Sequence, residues 1–166
     1  MFLKVHIGIN DKVLSFSIEN IPEYLKRFRL GDQLIETLDG VTEISITDEL
    51  FIITTEDPGF RNSKRKSLRC NECSVDVIKA YSWEGQFLWS IKDIIQDLNG
   101  IFLGGFLIER AKIDLPNGYY LPNGACVEDI LSNIDQSHPL YACFDGGWRY
   151  ILDLKDKRVL FRSPNR

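Results

Sequence analysis

The sequence predicts a β-rich α+β fold, an antiparallel meander forming a curved sheet or partial sandwich, with about three short helices on one face or end. Two observations lead there. Apolar and polar residues alternate over short runs, as where Leu14, Phe16 and Ile18 interleave with Val13, Ser15, Ser17 and Glu19, which is the two-residue period of a strand with one apolar face. Turn-forming groups such as Asp39-Gly40, Glu84-Gly85, Asp145-Gly146-Gly147 and Asp156-Lys157 cut the chain into segments of strand length.

The elements follow in order. Phe2 to Ile9 and Val13 to Glu19 are expected as strands around Asn10-Asp11-Lys12. Asn20 and Pro22 have the character of a helix start and Gly31 of its end, so Pro22 to Arg29 is expected as a short helix. Leu34 to Leu38, the Asp39-Gly40 turn and Val41 to Ile46 read as a hairpin continued by Leu50 to Thr55. Pro58-Gly59 and the polar residues to Ser67 form a long loop. Val75 to Trp83 and Gln86 to Ile91 flank the Glu84-Gly85 turn. Lys92 to Leu98 is expected as a short helix closed by Asn99-Gly100, and Ile101 to Lys112 as extended. Two Pro-Asn-Gly turns frame Tyr119-Tyr120, and Ala125 to Ile134 suits a helix. Leu140 to Phe144, Trp148 to Leu154 and Arg158 to Phe161 complete the strands. Residues 80–93 faintly echo residues 142–156, which common turn chemistry explains as two similar hairpins.

A chain of 166 residues is one domain's length and buries enough surface to need no disulfide or metal staple. Its composition, 44% apolar and 27% charged, is that of an ordinary soluble protein. The longest strongly apolar stretch, Gly100 to Ile108, is about half of what a membrane-spanning helix requires. The N-terminus lacks the order of a secretory signal, so a cytoplasmic protein is expected.

The net charge of −4 is laid down in blocks. Residues 31–60 carry eight acids and no base, and residues 61–69 carry five bases and no acid. That balance disfavours duplex nucleic acid, which rewards a broad basic face, and favours a basic protein partner.

Motifs for catalysis are scarce. Cys70-Asn71-Glu72-Cys73 has the spacing of half a zinc site or of a redox pair, but Cys126 and Cys143 stand alone and no second pair exists. His6 reads as a strand residue and His138 as a loop residue, with no Gly-x-Ser-x-Gly turn near either. Asp93 and Asp97 share a helix face and read as solvated. The Arg61 to Arg69 run lacks the interleaved aromatics of a single-strand binder.

The expectation is therefore a non-catalytic protein-binding module without a cofactor, for instance an immunity-type inhibitor of a basic toxin or nuclease. Its expected contact residues are Glu43, Asp48, Glu49, Glu56 and Asp57, with Trp83 and Glu84 as anchors. Three alternatives stand beside it. One is a zinc-stabilised module on Cys70 and Cys73, and another an oligomer joined through Gly104 to Ile108. The third is a small-molecule site lined by Tyr119, Tyr120 and Trp148. The sequence leaves the oligomeric state open.

Overall fold

The computed structural model describes residues 2–9, 12–19, 27–30, 33–36, 41–55, 78–96, 102–113, 127–145 and 147–164. Among the described residues, twelve strands form three sheets. The largest has six strands, β1 (Phe2–Ile9), β2 (Lys12–Glu19), β5 (Val41–Ile46), β6 (Leu50–Thr55), β7 (Ile78–Ser82) and β8 (Phe87–Ser90), in the order β2-β1-β5-β6-β7-β8. The second contains β9 (Phe102–Ile108), β10 (Leu140–Asp145), β11 (Trp148–Asp153) and β12 (Arg158–Pro164), in the order β12-β11-β10-β9. β3 (Arg27–Leu30) and β4 (Gln33–Glu36) make a separate antiparallel pair. Two α-helices, α1 (Ile91–Ile94) and α2 (Val127–Asn133), and a 3₁₀ turn at Arg110–Lys112 complete the described residues.

The four- and six-stranded sheets face one another. Alternation along β6 turns Leu50 and Ile52 inward, and the matching residues of β7 and β8 are Ile78, Ala80 and Trp89. They meet Leu107 of β9, Tyr141 and Cys143 of β10, and Tyr150 and Leu152 of β11 in one buried cluster. Each large apolar side chain removed from water in this way contributes roughly 1.5–3 kcal/mol. The outer face of the four-stranded sheet receives α2, whose Ile130 and Leu131 pack with Ile134 against Leu140, Ala142, Ile151 and Phe161. The guanidinium of Arg110 donates to the carbonyls of Leu131, Ile134, Asp135 and His138, tying the end of α2 to the end of β9.

Four expectations change. Arg27 to Leu30 is a strand rather than the end of a helix, because it pairs in register with Gln33 to Glu36. The hairpin expected across Asp39-Gly40 is absent among the described strands. Val41 to Ile46 instead lies parallel to β1 on one side and antiparallel to β6 on the other, leaving no edge for β4. The sheet is mixed, not a pure antiparallel meander, and the helix expected from Lys92 to Leu98 is one turn, Ile91–Ile94. Its start is set by the Asp93 carboxylate, which accepts the Ser90 backbone N–H at 2.8 Å.

Candidate functional site

Acidic residues of the 31–60 block part company in the fold. Glu43 sits at the start of β5 on the face turned toward β9, and it is buried, 8% exposed. Its Oε2 accepts the Gly105 backbone N–H at 3.1 Å, and Lys4 lies 3.7 Å from Oε1. Burial pushes the Glu43 carboxyl above its ordinary value, against the opposing pull of the Gly105 hydrogen bond and Lys4. Gly104, with φ +144°, and Gly105 permit this approach. A Cβ on Gly105 would lie 2.5 Å from the Tyr141 hydroxyl. Glu43 is thus an internal strut between the sheets and not part of the expected contact surface.

Asp48 and Glu49 stand at the far end of β5, in the turn to β6, and both are exposed. Thr47 shapes this turn, its Oγ1 accepting the backbone N–H groups of Glu49 and Leu50. Trp83 lies beside it, with its indole N–H donating to the Asp48 carbonyl at 2.9 Å. The ring also meets Phe51 edge to face at a centroid distance of 4.0 Å. Trp83 nevertheless remains 45% exposed, with Phe87 (55%) and Leu88 (42%) following on the edge strand β8. Tyr81 carries the aromatic contact from β7 to Phe87, 6.0 Å between centroids. Glu84, in the same turn as Trp83, is exposed. The fold thus joins Asp48, Glu49, Trp83 and Glu84 at one corner. Glu56, Asp57, Cys70, Cys73, Tyr119 and Tyr120 lie outside the described residues.

A second feature was not readable in the chain. At one end of the sandwich the sheets part around a cavity of about 580 Å³. Its floor is apolar and includes Leu50, Trp89, Leu107 and Leu154. Its walls carry Lys12, Arg110, His138, Lys155 and Lys157, together with Asp48 and Glu49. Trp89 therefore fills the core and also faces this space. Trp148, expected in a pocket, does not line it; its ring lies under the Arg162 guanidinium at 4.7 Å.

The wall is held by Asp153, a carboxylate with no exposed surface. Oδ1 accepts the backbone N–H groups of Lys155 (3.0 Å) and Asp156 (3.2 Å), which folds the β11–β12 turn. Oδ2 accepts from His138 Nδ1 at 3.0 Å. A carboxylate only accepts, so the proton sits on Nδ1, and Nε2 is the nitrogen left for other work. His138, Asp153 and Asp156 are close enough to share a metal ion, their ligand atoms lying within 4.8 Å. Arg158 answers that charge already, 3.8 Å from Asp153 and 3.6 Å from Asp156. The arrangement works as a turn lock.

Between the sheets, His6 is buried, and burial followed by the charge of Lys4 holds its pKa below the ordinary value. Its Nδ1 meets the Ser15 hydroxyl at 2.8 Å. This polar stretch supports the sheet interface and opens onto no described cavity.

The chain matches no family model, no curated protein and no solved structure.

Proposed function

We propose that the protein is a stoichiometric, non-catalytic binding module that docks a cationic protein, in the manner of an immunity-type inhibitor of a basic toxin or nuclease. The observation that carries this reading is Trp83, half-exposed yet fixed in place by Phe51 and the Asp48 carbonyl. Tryptophan is the residue type most enriched at binding hot spots, and one already held in its conformer loses little entropy when covered. Phe87 and Leu88 extend the apolar area along β8. Asp48 and Glu84 put negative charge beside it, with Glu49 already paired to Lys155 at 3.4 Å, and such charge favours encounter with a basic partner.

The test is to express tagged wild-type protein and Trp83→Ala in the source cells and measure affinity for any basic protein captured. Wild type should form an equimolar complex and suppress any nuclease or toxin activity of the partner at one equivalent. Trp83→Ala should weaken binding by about 2 kcal/mol, roughly thirtyfold. Equal capture by both proteins, or capture of acidic proteins alone, would remove the reading.

A further inference from the structure

We propose that the cavity between the sheets is a binding site for a small amphipathic monoanion, an aromatic or branched aliphatic body bearing one carboxylate or sulfonate. This site adjoins the Trp83 corner, sharing Asp48, Glu49 and Leu88 with it, and does not depend on a protein partner.

Its volume of about 580 Å³ lies within the roughly 300–1,000 Å³ of small-molecule sites. The floor offers the surfaces of Leu50, Trp89, Leu107 and Leu154, so the buried part of a ligand must be apolar. The charges at the mouth are unequal: Lys12, Arg110, Lys155 and Lys157 face two carboxylates, Asp48 and Glu49. Arg110 supplies charge but not a fork, since its terminal nitrogens already donate to main-chain carbonyls. Anion recognition falls to the lysines.

Lys12 comes from the six-stranded sheet, where its charge also acts on Glu109, and Lys157 comes from the β11–β12 turn of the other sheet. Lys155 reaches across to Glu49 at 3.4 Å, with both side chains about half or more exposed. Such a pair is weak in water, so an anion can share Lys155 at small cost. A polyphosphate is a poor fit, because the two carboxylates offset half of the cations and the lining provides no glycine-rich cradle. One negative charge above an apolar body satisfies both halves of the cavity.

The probes are 1-anilinonaphthalene-8-sulfonate and N-phenyl-1-naphthylamine, which share a ring system and differ by the sulfonate. Fluorescence titration of the folded protein at low salt should show one saturable site for the sulfonate, about tenfold tighter than for the neutral probe. Raising the salt should erode that difference. Lys12→Gln/Lys157→Gln changes exposed side chains only, and should weaken the sulfonate about fivefold to tenfold while leaving the neutral probe unchanged. Leu88→Trp, at the partly exposed rim, should reduce binding of both. Equal affinity for the two probes, non-saturable binding, or indifference of the sulfonate to the lysine pair would overturn the proposal. Lys12 and Lys157 lie outside the Trp83 patch, so the outcome of the lysine pair is distinct from the partner measurement above.

Discussion

Asp153→Ala isolates the interaction that organises the cavity wall. Three N–H groups lose their acceptor together: the backbone of Lys155 and of Asp156, and Nδ1 of His138. Arg158, 3.8 Å away, loses its buried counter-charge. Hydrogen bonds to a charged group contribute about 1.5–3 kcal/mol each, and removing one member of a buried charge network costs about 3–5 kcal/mol. The two backbone groups lie in a partly exposed turn and regain water, so the total should fall short of simple addition. A loss of about 3 kcal/mol is expected, a large share of the roughly 5–15 kcal/mol that holds a domain together. Asp153→Asn keeps an acceptor for the turn and gives up only the charge and the His138 contact, so about 1 kcal/mol is expected. Urea denaturation followed by circular dichroism measures both. The reasoning fails if alanine costs under about 0.5 kcal/mol, or if asparagine is as damaging as alanine. A second readout is the histidine ring nitrogen spectrum, which should show a protonated Nδ1 in wild type and a changed tautomer in the asparagine variant.

Gly105→Ala should destabilise by about 1–3 kcal/mol, because the new methyl would lie 2.5 Å from the hydroxyl of fully buried Tyr141; an unchanged thermal midpoint would refute the close packing. Glu43 and His6 give opposite pH slopes. The folded pKa of Glu43 lies above 4.5, so its contribution is present below that value and lost as pH rises through the folded one. Glu43→Gln should therefore gain on wild type as pH increases from about 4 to 7, and a constant difference in urea midpoint would sink the argument. The folded pKa of His6 lies below 6.5, so its contribution is present above 6.5 and lost as pH falls through the lower value. His6→Gln should flatten that acid limb, and an unaltered limb would count against the buried site.

Several elements could be read directly from the chain. Alternation and turn residues placed β1, β2, β6 and the β10–β11–β12 run close to where they lie. Those signals report interactions over a few residues: the two-residue pleat, the φ a turn requires, the capping reach of one carboxylate. Arg27 to Leu30 was misread for the same reason. A glycine can end a helix or connect two strands, and only pairing with β4 decides between them.

Tertiary structure decided everything that depends on partners far apart in sequence. The parallel pairing of β1 with β5 seats Glu43 next to Lys4 in register and turns it toward β9, where the Gly105 N–H, 62 residues away, donates to its buried carboxylate. Counting charges along the chain could not separate that carboxylate from Asp48 and Glu49, because sequence carries the charge of a residue but not its solvent. The cavity is likewise the meeting of Lys12, Trp89, His138 and Lys157, four residues with no common local pattern. Composition and periodicity marked most of the strands, Arg27 to Leu30 excepted. Which faces meet, and therefore what lies between them, was settled by the burial of apolar surface shared across the two sheets.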